Sequence, residues 1–338
     1  MENEIPVQHR ITIGRPADGK AGRQAKRSVK NMKILNYGSL NIDYVYDVPH
    51  FVQPGETIHA PSRTIHCGGK GLNQSVALAK AGAKVYHAGR IGEDGGFLLE
   101  TLKQEGIDTQ FITVSQEPTG HAVIQVDAKG ENAIVIYGGA NRTITSREIA
   151  KVFEHFEAGD MLVLQNEIND LDLIMKTARE RGMIVVFNPA PFDGQVLSLP
   201  LETVNLFVVN RQEGAALSGC TRAEDIVKGI VQKYPSSAVV LTLGSKGSLY
   251  YDGTRMLTQG IYNAPVIDTT GAGDTYIGYF AAMWAQGSEI QRAMDLASKA
   301  SSIAVSHPGA AVSIPAMDEV QDTYLDAVSL EDGEIPLL

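Results

Sequence analysis

Cysteine is scarce in this 338-residue chain: Cys67 and Cys220 are the only two. They stand in no Cys-x-x-Cys or Cys/His spacing, which argues against a disulfide scaffold or a thiolate metal site and points to a reducing, cytoplasmic setting. No apolar run approaches the length of a membrane-spanning helix, and the first residues lack the apolar core of a secretory signal. Positive charge is also in deficit. The 29 Lys and Arg are outnumbered by 39 Asp and Glu, a formal net charge of −10. That balance argues against a nucleic-acid or anionic-membrane partner, which would meet a basic face. It leaves room for a small anionic substrate, which needs only a local positive site. Internal repeats and low-complexity tracts are absent as well.

What is present begins with a contrast. Residues 1–31 hold seven Lys and Arg against three Asp and Glu, a net of +4, which leaves −14 on residues 32–338. They read as a disordered leader, an appended or upstream-start segment, ahead of a fold that starts at Met32; an organellar transit peptide is the lesser alternative. From there strands and helices alternate. "KILNYG", "KVYHAGRIG", "DMLVLQ", "MIVVFNP", "NLFVVN" and "AVVLTLG" are short, continuous apolar runs. Such runs suit strands buried on both faces, as in a parallel sheet covered by helices. "GLNQSVALAKAG", "GFLLETLKQEG", "LDLIMKTARERG", "AEDIVKGIVQKY" and "YIGYFAAMWAQG" carry helical spacing. The fold class that follows is α/β, a doubly wound, mainly parallel sheet between helices. Two segments, about 44–66 and 119–140, alternate in period two, with a hairpin signal at Lys129-Gly130. No helix covers them, so they predict a small antiparallel β lid. The domain is expected to span 32–325, with 326–338 as a C-terminal tail.

In open α/β sheets, ligands bind beyond the carboxyl ends of the strands. "GSLNID" places Asn41 and Asp43 there, "LQNE" places Glu167, and "NRQE" places Asn210 and Glu213. "CGGKGLNQS" opens a helix with glycines, Lys70 and Asn73; it is no P-loop, because Lys70 is followed by Gly71 and not by Ser or Thr. "TLGSKG" is a tight turn between strands. "DTTGAGDT", residues 268–275, sets Gly271, Ala272 and Gly273 at the mouth of a helix. Backbone N–H groups at a helix start lack internal partners and carry partial positive charge, so they suit a phosphate. Asp274 would repel a resting anion, and its place there fits a general base for an attacking hydroxyl. Each feature has a plainer reading alone: Asn41 and Asp43 as turn formers, Asn210 as a helix cap, His307 as a surface histidine. Their concurrence at the strand ends favours one cleft.

On "GGKGLNQS", "DTTGAGDT" and the segments "GGANRTIT", "NPAP" and "TLGSKG", the chain resembles the ribokinase-like (PfkB) carbohydrate kinases from about Met32 to Pro315. The resemblance implies an ATP-dependent kinase acting on a primary sugar hydroxyl, with D-ribose favoured by "GGKGLNQ", Asn41, Asp43 and Glu167. Deoxyribose, a ketose such as fructose, and a nucleoside are the alternatives within the fold; a non-catalytic sugar-binding regulator is the alternative outside catalysis. It implies that Asn41, Asp43, Gly69, Lys70, Gly71, Asn73 and Glu167 bind the sugar. Asp274 would be the base and Gly271–Gly273 the anion hole. Asn210, Thr242, Gly244, Ser245, Gly247, Gly273 and Ser298 would bind ATP. Glu213 would position Mg²⁺ through water. Asp268, Thr270, Ala304, His307, Gly309 and Ser313 would hold an activating K⁺. The lid would cover the sugar, exclude water and pair with a second copy in a homodimer.

Overall fold

The computed structural model describes residues 32–328. The leader expectation, and the tail expectation beyond Val328, lie outside the described residues. Chain order begins with β1 (Ile34–Tyr37), β2 (Asn41–Asp47), β3 (Ser62–Gly68), α1 (Lys70–Lys80), β4 (Val85–Gly92), α2 (Gly96–Gln104) and β5 (Asp108–Ser115). It continues through β6 (Gly120–Val126), β7 (Asn132–Tyr137), α3 (Ser146–Phe153), β8 (Met161–Gln165), α4 (Leu171–Glu180), β9 (Ile184–Asn188), β10 (Leu206–Asn210), α5 (Arg211–Ser218) and α6 (Ala223–Lys233). The last part is β11 (Ala238–Thr242), β12 (Ser248–Tyr251), β13 (Met256–Gln259), β14 (Ile261–Tyr262), α7 (Ala272–Ala285), α8 (Ile290–Ala304), α9 (Met317–Asp322) and β15 (Ala327–Val328).

Nine strands form one sheet in the order β13-β12-β11-β10-β9-β8-β1-β4-β5. Its pairings are parallel from β11 through β5, and antiparallel where β12 and β13 extend the edge. The continuous apolar runs are explained by burial on both faces. In β8, Met161 and Val163 join one core, while Leu162 and Leu164 join the other. The first core is closed by α1, α2, α7 and α8, the second by α3 to α6. The doubly wound expectation holds.

The lid is a four-stranded sheet in the order β3-β2-β6-β7. Its outer pairs are antiparallel, and its central pair, β2 with β6, is parallel. The parallel centre arises because the chain passes through β4 and β5 of the main sheet before returning to the lid. The β6–β7 turn forms at the predicted place: Asp127 accepts from the N–H of Lys129 at 2.8 Å, and Gly130 supplies φ +79°. Ile134, Val135, Ile136 and Tyr137 of β7 remain exposed, uncovered by any helix. β15 pairs with β14 through Ile261↔Val328.

The two glycine-containing motifs meet because α1 packs directly on α7. A Cβ on Gly278 would lie 2.3 Å from Ala77 Cβ and 2.9 Å from the Leu78 backbone nitrogen. Only glycine lets the helices approach this closely, and the helix starts are thereby brought together. At the other end of α1, a Cβ on Gly71 would lie 2.3 Å from the Ser39 nitrogen, so α1 also begins in backbone contact with the exit of β1. Gly278→Val should therefore destabilise the fold by about 1–3 kcal/mol through overpacking. Gly96→Ala, where a Cβ meets open space, should stay within about 0.5 kcal/mol. Urea unfolding of both variants checks this; equal stabilities would remove the close-packing argument.

Candidate active site

The ends of β1, β8, β9, β10 and β11 deliver Gly38–Asn41, Glu167, Asn188, Asn210 and Thr242 to one edge of the sheet. Against that edge stand the first turns of α1 and α7. Asn41 opens the lid strand β2, and its Oδ1 accepts from Asn141 Nδ2 at 2.7 Å. Asn141 also accepts from the Leu40 N–H at 3.0 Å, so a buried asparagine from the loop after β7 fixes the β1–β2 turn. Asn141 falls in the family-like segment "GGANRTIT", but sequence reading assigned it no role. Asp43 lies two residues on. A Cβ on Gly68 would fall 2.1 Å from its carboxylate, which is why β3 ends in glycine here.

Glu167 accepts from the Ser39 hydroxyl and from the Lys70 N–H at 3.0 Å. Burial raises the Asp43 carboxyl to about 7, with the Glu167 charge adding to it. Burial likewise raises Glu167, against the opposing pull of the Lys70 ammonium. Lys70 is itself raised, mainly by Asp274, then by Glu167 and Glu213. One ammonium thus serves a ring of carboxylates.

Asp274 is buried at 7% exposure in the first turn of α7. Its Oδ2 accepts from Asn73 Nδ2 at 3.2 Å and its Oδ1 from Gln74 Nε2 at 2.9 Å. The remaining side-chain oxygen of Asn73 is buried and meets no donor among the described residues. Gly271 takes φ +77° as the residue before the helix, and no side chain caps α7. A Cβ on Gly273 would enter open space, which leaves the first helical N–H groups approachable.

Two cavities meet at this turn, sharing Thr242, Thr269 and Gly273. One, of about 240 Å³, contains Lys70, Asn188, Asn210, Glu213 and Asp274. The other, of about 290 Å³, contains Gly244, Ser245, Gly247 and Ser298, with an apolar wall that includes Ile261, Tyr262, Val266 and Val305. The wall was missed by sequence reading, because these residues come from separate elements and form no motif. Ser298 lines the cavity, yet its hydroxyl donates to the Gly260 carbonyl at 2.6 Å. Asn41, Asp43, Gly69, Gly71, Asn73 and Glu167 line neither cavity; Asn73 is tied to the smaller one by its bond to Asp274, and Glu167 by charge coupling to Lys70 and Asp274.

Asn210 does cap α5. Its side chain accepts from the Glu213 N–H at 2.9 Å, and Glu213 answers by accepting from the Asn210 N–H at 2.9 Å. Both residues of this capping box also line the cavity, so the cap leaves them available to it. Burial raises Glu213 as well. On the far side of the anion turn, Asp268 accepts from the Thr270 N–H at 2.9 Å and from the Gly309 N–H at 2.8 Å. That latches the 268–270 loop to the segment that leaves α8 at Ala304 and carries His307, Gly309 and Ser313. His307 packs Nδ1 3.2 Å from the Ile303 carbonyl, and Ser313 donates to the Ala310 carbonyl at 2.8 Å. Among the described residues, no cluster of three His, Cys, Asp or Glu side chains forms a metal site. Among the described residues, no helix is long and apolar enough to cross a membrane.

Residues 31–317 match the pfkB family of carbohydrate kinases. The chain belongs to that family. A curated relative, ribokinase of Staphylococcus aureus (strain COL), is 36% identical over 304 residues, 85% of this chain and 98% of the relative. The structure of Arabidopsis thaliana ribokinase complexed with ribose and ATP superposes with a TM-score of 0.77 at 30% identity, covering 86% of this chain and 97% of that one. Ribokinase from Cryptococcus neoformans var. grubii, in complex with ADP, gives 0.75 at 33% identity, covering 86% and 99%.

The electrostatics of this carbohydrate kinase can be read without ligand. In carboxyl-detected NMR, Asp43 should titrate near 7, against about 3.9 for an unperturbed aspartate. Glu167→Gln should lower that value only part of the way, because burial is the larger cause and the neighbouring charge the smaller. An Asp43 midpoint at the ordinary aspartate value would refute the buried, charge-coupled pair.

Proposed function

We propose that this carbohydrate kinase transfers the γ-phosphoryl group of ATP to the primary hydroxyl of D-ribose, giving D-ribose 5-phosphate and ADP. The observation that carries the reading is the position of Asp274: a buried carboxylate beside an uncapped, glycine-opened helix start where two cavities meet. A phosphate-binding turn alone has no use for that charge; a hydroxyl acceptor does. Ribose is supported by the ligand of the Arabidopsis relative and by the acceptors Asp43 and Glu167, coupled to each other beside the cavity.

In this mechanism Asp43 accepts from two adjacent sugar hydroxyls, and Asn41, Asn73 and Glu167 hold the rest. Asp274 takes the proton as the hydroxyl oxygen attacks phosphorus in line. The N–H groups of the Gly271–Gly273 turn stabilise charge on the phosphoryl oxygens in transfer. Lys70, already facing Asp274 and Glu213, offers a cation to the same oxygens. The apolar wall with Tyr262 and Val305 suits a base ring, with Thr242, Gly244, Ser245 and Gly247 along the nucleotide. Oxygen-rich Glu213 and Asn210 fit water-mediated Mg²⁺, which supplies charge neutralisation of the phosphates. The carboxylate, hydroxyl and carbonyl oxygens of Asp268, Thr270, Ala304, His307, Gly309 and Ser313 fit K⁺, whose contribution would be to stiffen the loops behind the anion turn. The exposed apolar strip of β7 fits pairing of two lids in a homodimer.

Asp274→Asn preserves size and still offers a hydrogen bond, but it cannot take the proton. Turnover should fall by about 10²–10⁴-fold, with ribose and ATP affinities by calorimetry far less affected. Turnover within about threefold of the parent would end the assignment of the base. A parallel screen over ribose, deoxyribose, fructose and adenosine should rank ribose first. Replacing potassium by sodium or a bulky organic cation should lower turnover; equal rates in all these salts would count against the cation loop.

A further inference from the structure

We infer that Gln74 is a positioning residue for the reaction: it fixes the plane of the Asp274 carboxylate and ties the base to the metal-side carboxylate Glu213. The inference rests on Asp274 being the base. Gln74 is fully buried on α1, between the sheet and α7. Its Nε2 donates to Asp274 Oδ1 at 2.9 Å and, more weakly, to Asn188 Oδ1 at 3.4 Å. Its Oε1 accepts from Gln165 Nε2 at 2.7 Å. That pattern admits one orientation of the amide. Turned over, Gln74 would set an oxygen against the Asp274 carboxylate and a nitrogen against the Gln165 donor.

The support runs deeper. Gln165 Nε2 also donates to Asn36 Oδ1 at 3.0 Å, and Asn36 Nδ2 donates to the Gly71 carbonyl and to Ser75 Oγ, each at 2.8 Å. Asn36, Gln74, Ser75 and Gln165 are each at most 1% exposed. The polar layer therefore lies under the site and is anchored at β1, α1 and β8. On the other side, Asn188 Nδ2 reaches Glu213 Oε2 at 3.4 Å. Gln74 is the residue through which Asp274, Asn188 and Gln165 are joined.

Asn73 and Gln74 grip opposite oxygens of one carboxylate from adjacent positions of α1. Two donors on a carboxylate fix its plane and decide which lone pairs face the cavity. An apolar side chain of similar shape would fill the space at lower desolvation cost. The buried amide is explained by what it holds.

Gln74→Met keeps length and volume and removes both donors. Its kcat should fall by about 10–100-fold, the scale at which misplacement of a reacting group is felt, while KM for ribose and ATP changes less than about threefold. The decisive measurement is a double-mutant cycle. In the Asp274→Asn background the same change should cost less than about threefold, because no base remains to be oriented. Gln165→Met, which leaves Gln74 in place but frees its oxygen, should move kcat in the same direction by a smaller factor, and thermal melts confirm that each variant is folded. A parent-like kcat in Gln74→Met, or an equal fold-loss with and without Asp274, overturns the inference. The two readings fail separately: parent-like turnover of Asp274→Asn removes the base itself, whereas an inactive Asp274→Asn with a fully active Gln74→Met removes only the role of Gln74.

Discussion

The contact between α1 and α7 at Gly278 is the constraint on which the site depends. The two motifs lie about two hundred residues apart in sequence, and neither is complete alone: one brings donors, the other the carboxylate they hold. Bonds of 2.9 and 3.2 Å from Gln74 and Asn73 to Asp274 require the helix axes to be close. A side chain at 278 would collide with Ala77 and the Leu78 backbone before those bonds could form. Helix α8, packed on α7, then carries the loop that Asp268 latches behind the anion turn. Packing of small residues thus fixes the geometry of polar ones.

The same economy of side chains operates where β1 meets α1. Gly38 and Gly71 stand where a Cβ on either would overlap the other's backbone. That closeness lets Ser39 Oγ accept from the Gly71 N–H at 3.1 Å while donating to Glu167. "GGKG" resembles a phosphate cradle, but the positions of Gly68, Gly69 and Gly71 answer to the approach of Asp43, the Ser39 carbonyl and the Ser39 nitrogen. Their lack of side chains brings β2, β3 and α1 together around Asp43, and Lys70 is the member of the motif that lines the cavity with Asn210, Glu213 and Asp274.

Much of this was legible in sequence because buried parallel strands and helix-start glycines leave local patterns. The runs of β1, β4, β8, β9, β10 and β11, and the helices α1, α2, α4, α6 and α7, were read directly. Strand β5 was not, since it lies at the sheet edge and mixes polar with apolar residues. The eight-residue helices α3 and α5 are too short to establish a period; both are specified by capping boxes, Thr145 with Glu148 and Asn210 with Glu213. The apolar cavity wall and the bonds made by Asn141 and Gln74 were not legible, because each depends on contacts between distant segments. Gln74 carried a faint signal, an amide at a position of α1 whose neighbours Leu72, Val76 and Leu78 are core residues.

An acidic protein that must attract a triphosphate faces an electrostatic conflict, and the site resolves it locally. Glu167, Glu213 and Asp274 surround Lys70, Asp43 is coupled to Glu167, and burial raises Asp43, Glu167 and Glu213 toward their protonated forms. Full ionisation of all four would leave one ammonium against four negative charges before any phosphate arrived. The upward shifts favour protonation and so work against that repulsion, and on the proposed reading the helix start adds partial positive charge where the phosphates would lie. Hydroxyls that donate to Asp43 favour its ionised form, doing for the buried carboxylate what water does at the surface. On the proposed assignment of Asp43 to the sugar, ligand and charge state are linked: ionisation of Asp43 strengthens the grip on the sugar, and the sugar in turn lowers the Asp43 pKa and keeps the carboxylate ionised as pH falls through 7.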